Sequence, residues 1–396
     1  MPQVTEIKKG IYWVGVIDWT VRSFHGHTYS TPRGTTYNAY LIIDEKIALV
    51  DTVLGAFSGE MLAKIREIID PAKINYVIAN HVETDHSGAL PELMKACTKA
   101  KVIGTEKCQE GLYKNYYGNW DFQVVKTGDI LKLGKRNLTF IEAPMVHWPD
   151  SMFTYCGEEE LFLPNDAFGQ HYATSRRFND QVDSSELMDE AKKYYANILW
   201  PLSPVISRKI DEVLKLNLPV SMIAPSHGII WRKDPLQIVR AYQGWAKQEI
   251  VPKTVIVYET MWNSTRKMAR IITDALIEQG VEVKLFDVNS SDRTEVFKEM
   301  LDAKGFLFGS STHDNDMLPN LAGFLALLKN FKAKGRIAGV FGSYGWAGGA
   351  VKEIENLLKS SGIEIAVPSC SAKFVPDDKE TADCVRFARD FAVKVK

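Results

Sequence analysis

The stretch NYVIANHVETDHSGALPELM (Asn75–Met94) begins as an apolar run, and His81, Glu83, Asp85 and His86 follow directly after it. Imidazole and carboxylate are the side chains that ligate divalent metals, so four of them this close together point to a metal site. Neighbours on a straight strand point to opposite faces. The adjacent Asp85 and His86 therefore predict a loop that turns into a helix. Three further segments repeat the theme. MVHWPDSMF supplies His147, LPNDAFGQH supplies Asp166 and IAPSHGIIW supplies His227, each just past an apolar run. Residues so placed lie in loops at one end of a sheet. Of the eight histidines in the chain, four fall in this set, a concentration that scattered surface histidines do not explain. Three carboxylates and four imidazoles make a hard, anionic site. Oxygen donors suit iron, although ligand type alone leaves zinc and manganese open.

A second constellation lies downstream. The segment Thr260, Met261, Trp262, Asn263, Ser264 and Thr265 joins a strand to a helix. Hydroxyls and backbone N–H groups at a helix N-terminus hold a phosphate without a lysine. Two more loops follow strands: Ser311, Thr312, His313, Asp314 and Asn315, then Ser343, Tyr344, Gly345, Trp346 and Ala347. Their glycine admits close approach of a planar ring, and Trp346 offers a face on which to stack. The set suits FMN. There is no Gly-x-x-x-x-Gly-Lys and no Gly-x-Gly-x-x-Gly after the first strand, which argues against a nucleotide triphosphatase and a classical NAD site. Asp314 would place negative charge near the ring and disfavour an anionic hydroquinone.

These residues need elements to hold them. Over roughly the first 250 residues, strand-like runs (Thr35–Asp44, Lys46–Thr52, Asn75–Asn80, Ala100–Thr105, Asn137–Ala143) are broken by helical stretches at Gly59–Ile69 and Leu90–Ala100. That pattern predicts an α/β layer fold of the αββα kind. After about Val251 the alternation is regular. Strands at Thr254–Thr260, Val281–Val288, Gly305–Ser311, Arg336–Ser343 and Ile363–Ser369 alternate with helices at Ser264–Gly280, Arg293–Ala303, Leu318–Phe331, Ala350–Gly362 and Lys379–Val395. This predicts a doubly wound parallel sheet. The expected domains are therefore 1–250 and 251–396, with a short join.

With these motifs assembled, the chain resembles the flavodiiron proteins (A-type flavoproteins) over its whole length. The zinc hydrolases of the metallo-β-lactamase superfamily carry His-x-His-x-Asp-His, and Glu83 stands where their second histidine would be. The resemblance implies a metallo-β-lactamase-like αββα sandwich followed by a flavodoxin-like doubly wound sheet. It implies that His81, Glu83 and His147 bind one iron, that Asp85, His86 and His227 bind the other, and that Asp166 bridges them. It also places His25, His171 and Tyr195 around the substrate pocket as donors of a hydrogen bond or proton. The phosphate loop departs from the flavodoxin Thr-x-Thr-Gly-x-Thr pattern at Trp262 and Asn263 but is similar to the flavodiiron version. The implied reaction is reduction of dioxygen to water or of nitric oxide to nitrous oxide, with electrons reaching two irons through FMN from a donor such as rubredoxin; the chain has no rubredoxin domain of its own. An oxidase fed by reduced coenzyme F420, a zinc hydrolase fused to a flavodoxin and a pure electron carrier are the competing readings. Glu83 argues against the hydrolase, and the full set of seven ligands against the carrier.

Composition agrees with an ordinary globular protein: 45% hydrophobic and 24% charged residues are enough to build a core. A net charge of −1 lacks the basic footprint of a nucleic-acid binder. No apolar run reaches membrane-spanning length and the N-terminus has no signal-peptide core, so a cytoplasmic location is expected. Cys97, Cys108, Cys156, Cys370 and Cys384 have no Cys-x-x-Cys spacing and read as buried free thiols, excluding a disulfide framework or iron–sulfur cluster. His27 and His313 read as ordinary polar residues outside the chemistry, although His313 lies within a flavin loop. Domains of roughly 250 and 145 residues have radii of gyration of about 18 and 14 Å, which puts sites deep in each some 30 Å or more apart. Rapid electron transfer over that distance calls for a head-to-tail homodimer, or a dimer of such dimers, in which each flavin faces the partner's irons.

Overall fold

The computed structural model describes residues 4–26 and 28–396; His27 lies outside the described residues. Two compact units are present, Met1–Gln243 and Gly244–Lys396.

The first unit is built on two sheets. One has seven strands in the order Thr5–Lys8, Ile11–Trp13, Tyr40–Ile42, Ile47–Val50, Ile74–Ile78, Lys101–Gly104, Phe122–Val124. The other has five: Ile130–Lys132, Asn137–Glu142, Met152–Cys156, Leu161–Leu163, Met222–Ile223. Strands of the first sheet are covered on both faces, which is why they read as unbroken apolar runs rather than as alternations. Tyr40, Ile42, Ala48, Val50, Ile78 and Ile103 face the second sheet, where Leu138, Phe140, Met152 and Leu163 meet them. Their neighbours Leu41, Leu49, Val77 and Val102 face Met61, Ile65, Leu90 and Leu93 of the outer helices. The expected αββα sandwich is the result.

One expected strand is divided. Thr35–Asp44 forms Thr35–Tyr37 and Tyr40–Ile42, paired with different partners. The break has a use. Asn38 donates from its backbone to Ser226 O (2.7 Å) and from its side chain to Pro225 O (2.8 Å) and Gly228 O (3.1 Å). It thereby holds the loop that carries His227.

In the second unit the parallel sheet runs in the order Glu282–Asp287, Val251–Glu259, Ala303–Ser311, Ile337–Tyr344, Glu364–Ile365. This is the flavodoxin order, and ligands bind such sheets beyond the strand C-termini where the order reverses. The expected last strand Ile363–Ser369 is corrected. Pro368 lacks the N–H a ladder needs, so pairing stops at Ile365 and resumes at Cys370–Lys373 against Phe341–Tyr344. All five cysteines are buried and free, and Cys370 and Cys384 meet at 3.4 Å between sulfurs.

Candidate metal centre and flavin site

Strand Ile74–Ile78 delivers the chain to Asn80, and residues 84–87 then close one helical turn, Thr84–Ser87. That turn lets Asp85 and His86 point different ways. Thr52 secures it: its N–H and hydroxyl both donate to His86 O, at 2.9 and 2.7 Å. Asp51, just before, accepts from the Asn80 backbone N–H (2.8 Å), the Asn80 amide (3.1 Å) and the Asn165 amide (3.1 Å). One buried carboxylate thus ties together the loops bearing His81 and Asp166.

All seven predicted ligands converge, in two groups. His81, Glu83, His147 and Asp166 form one; Asp85, His86 and His227 form the other. Asp166 faces both. Its Oδ2 lies 3.3 Å from His147 Nε2 and 3.7 Å from His81 Nε2. Its Oδ1 lies 3.0 Å from His86 Nε2 and 3.6 Å from His227 Nε2. Glu83 Oε2 stands 3.4 and 3.5 Å from the Nε2 atoms of His81 and His147. Although carboxylate oxygens are this near, His81 Nε2 and both ring nitrogens of His86 make no hydrogen bond, nor does Asp85 Oδ1. The donor atoms are aimed at shared points, not at one another. Orphaned buried ligand atoms in this arrangement fit a pair of cations.

The electrostatics agree. Burial pushes the imidazoles of His81 and His86 down, but the carboxylates win. The hydrogen bond to Asp150 and the nearby carboxylates of Glu83 and Asp166 carry His81 well above its usual value, and the charges of Asp166 and Asp85 raise His86 to about 9. His147 is raised against burial by Asp166 and Glu83. Burial pushes Asp85, Asp166 and Glu83 up, yet the surrounding imidazoles hold all three below the carboxylate range. So dense an anionic field holds protons until metals take their place.

Several supporting residues escaped the sequence reading. Asp150 Oδ2 pairs with His81 Nδ1 at 2.9 Å and accepts from Val82 N at 2.8 Å, leaving His81 Nε2 for a metal. Thr36 O meets His227 Nδ1 at 2.6 Å in the same way. Carboxylate or carbonyl partners of this kind orient ligating histidines. The motif HWPD held the signal for Asp150; the contact through Thr36 O is made by backbone and has none.

The tyrosine at the centre is Tyr194, a correction by one residue. Its hydroxyl donates to Asp166 Oδ1 at 3.0 Å, beside Ser226 at 3.1 Å. Tyr195 turns away to Ser203 at 2.9 Å. Of the other two predicted pocket residues, His25 stands at the half-exposed mouth with Nε2 3.4 Å from Glu83 Oε1. His171 is buried. It stacks on Phe24 with centroids 4.3 Å apart, pairs through Nδ1 with Thr35 Oγ1 at 2.8 Å, and lies 4.8 Å from the His227 ring. Burial and the neighbouring His227 and His25 hold it well below the usual histidine value.

In the second unit the three loops gather at the strand C-termini. The hydroxyls of Thr265, Ser311 and Ser343 form a triangle of 3.0, 2.9 and 3.3 Å. Thr260 Oγ1 is buried with no hydrogen bond. Helix Ser264–Glu278 begins beside them, after Asn263 in the left-handed region (φ 69°). This cluster fits a phosphate. Trp262 and Trp346 are 82% and 92% exposed and Met261 is 43% exposed, apolar faces that a planar ring would cover. The Thr312 hydroxyl accepts from Gly349 N and Ala350 N at 3.3 Å. His313 and Asp316 exchange backbone hydrogen bonds at 2.9 Å, leaving Asp314 and Asn315 at the turn with positive φ. Ser264, Tyr344, Gly345 and Ala347 belong to the same loops.

Comparison with known proteins gives a match for each unit. Residues 35–228 match the ODP family β-lactamase model, and 256–387 match the flavodoxin model. A nitric oxide reductase of Moorella thermoacetica is 52% identical across the full length of both chains. The anaerobic nitric oxide reductase flavorubredoxin of Aeromonas hydrophila is 44% identical over 98% of this chain and 79% of its own. Among solved structures, the rubredoxin oxygen:oxidoreductase of Desulfovibrio gigas superposes with a TM-score of 0.96 at 38% identity, covering 99% of this chain and 98% of that one. The flavodiiron protein of Giardia intestinalis does so at 0.94 and 36%, covering 99% and 97%.

Proposed function

We infer the reaction from one premise: the chain belongs to the flavodiiron proteins, oxidoreductases with a non-haem diiron site and an FMN-carrying flavodoxin domain. It reduces nitric oxide to nitrous oxide, 2 NO + 2 e⁻ + 2 H⁺ → N₂O + H₂O, the activity named for the relative that shares half its residues. Reduction of dioxygen to water is the second reading, favoured by the match to the Desulfovibrio gigas oxidoreductase. Electron counting accommodates both. Dioxygen to water takes four electrons, which two ferrous ions and one FMN hydroquinone hold together.

The observation that carries the reading is Asp166, one oxygen turned to each half of the ligand set. In this assignment His81, Glu83 and His147 would hold one iron, Asp85, His86 and His227 the other, and Asp166 would serve both. When bound, the iron pair supplies electrons and a Lewis-acidic place for the gas, and FMN supplies the electrons that refill it. The protein's own groups do the rest. Asp150 and Thr36 fix two imidazoles, while Tyr194 and Ser226 fix the bridging carboxylate. Phe24 and His171 wall one side against water. His25, at the mouth beside Glu83, is positioned to donate a hydrogen bond or proton. Residues 260–265, 311–315 and 343–347 would hold FMN, the Thr260, Thr265, Ser311 and Ser343 hydroxyls offering hydrogen bonds to a phosphate and Trp262 and Trp346 offering apolar faces to a ring.

We assign residues 1–250 to the diiron domain and 251–396 to the FMN domain. The family matches within those limits support the division. The donor is rubredoxin or a similar small carrier. The working form is a head-to-tail homodimer, or a dimer of dimers, for which domain size is the argument. Among the described residues no helix is long and apolar enough to cross a membrane, and we place the enzyme in the cytoplasm. The test is steady-state turnover with each gas on one preparation of defined iron and FMN content, with reduced rubredoxin as donor. Turnover of nitric oxide is expected. Inertness toward both gases in a fully loaded preparation would overturn the reading.

A further inference from the structure

Between the outer face of the second sheet and helices Ser203–Lys215 and Leu236–Ala246 lies an apolar cavity of about 360 Å³. Its inner end is made by Val146, Ala167 and Phe168, which are 6%, 3% and 6% exposed. Val146 immediately precedes His147, and Ala167 immediately follows Asp166. At two points, then, the wall of the cavity is the next residue along from a proposed metal ligand. The outer end opens past Leu214, which is 42% exposed. Between them the lining is mostly hydrocarbon, including Ile206 and Val239, with Lys209 and Asn217 as its polar members beside Tyr242. The one deep hydroxyl, on Tyr242, accepts from Phe168 N at 2.9 Å and so fixes the inner wall.

A space of this kind offers water too few polar partners to be held, and apolar cavities of comparable character stay dry and take up xenon. Nitric oxide and dioxygen are small, uncharged and more soluble in apolar media than in water. Resting on the reaction inferred above, we propose that this cavity is a binding site for the diatomic substrate, an apolar antechamber that concentrates gas from solvent behind the metal cluster. Val146 and Phe168 form the last barrier, and side-chain rotation on the picosecond-to-nanosecond scale opens it.

Xenon tests the site without recourse to activity. Crystals of the iron- and FMN-loaded protein under xenon pressure are expected to show the atom between Ile206, Val239 and Phe168. Ile206→Trp fills the cavity from one helix and Val239→Phe from the other. Each folded variant is expected to lose the xenon and to show a several-fold lower second-order rate constant for oxidation of the pre-reduced protein by nitric oxide or dioxygen in stopped flow. Iron and FMN content, and the limiting rate at saturating gas, should match the parent. Exclusion of xenon from the parent cavity overturns the proposal whatever the variants do. A filled, folded variant that reacts with gas at the parental rate constant overturns it equally. Xenon bound in a protein that reduces neither gas would instead fault the reaction and with it the delivery role.

Discussion

At the scale of single residues, the centre is a hierarchy of contacts. Asp166 faces four imidazoles, whereas His171 touches the cluster only through ring packing. Asp166→Ala is therefore expected to abolish turnover and strip metal from both positions, while His171→Ala falls in the 10–100-fold range typical of groups around a metal site. Equal, mild losses in the two variants would show that Asp166 does not span the pair. Asp150→Ala leaves His81 Nδ1 without its partner, and iron affinity or activity should drop about 10–100-fold, read as iron per chain after dialysis; full retention would remove Asp150 from the support. The convergence of the seven candidate ligands was legible because each follows an apolar run and is one of a few residue types. Their supports were less so. Thr36 acts through its carbonyl, which any residue carries. Tyr194 and Tyr195 are adjacent on a helix, where successive side chains point about 100° apart, so a slip of one position exchanges Asp166 for Ser203 as partner.

At the scale of elements, the sites depend on how loops leave strands. Gly228 follows His227 with φ 76°, and a Cβ there would lie 1.8 Å from Gln170 Oε1 and 2.3 Å from Gln170 O. Gly228→Ala should carry strain of about 1–3 kcal/mol, lower the melting temperature and shift His227 enough to lose iron from its group. An unchanged melting point with full iron would contradict this account of the loop. In the second unit, Trp346→Ala removes a ring that is 92% exposed. Aromatic stacking is worth about 0.5–1.5 kcal/mol beyond area burial, so FMN affinity should fall roughly twofold to tenfold, with iron content unaltered. An identical flavin spectrum, potential and affinity would take Trp346 out of the site. The parallel sheet was readable as strand–helix alternation because each strand is one apolar run. The divided strand at Asn38 was not, since its break is set by partners far away in the chain, whereas the break near Pro368 was marked by the proline itself.

At the scale of the whole molecule, the proposed dimer makes a prediction that neither unit makes alone. A chain disabled at iron by His81→Ala with Asp166→Ala, mixed with a chain disabled at flavin, should regain activity in the mixed dimer, because an intact FMN then faces intact irons. A mixed dimer that forms and stays inactive would place electron transfer within one chain. The claim beneath all of these is the identity of the metal. Glu83 in the position where zinc hydrolases of this superfamily have histidine, three carboxylates against four imidazoles, and one aspartate between two groups of candidate ligands are the grounds for proposing that these residues hold two irons. Metal analysis of catalytically active protein, counted against FMN and chain concentration, tests it most directly. The account predicts two irons and one FMN per chain, with activity tracking iron; zinc as the principal metal in active protein would contradict it.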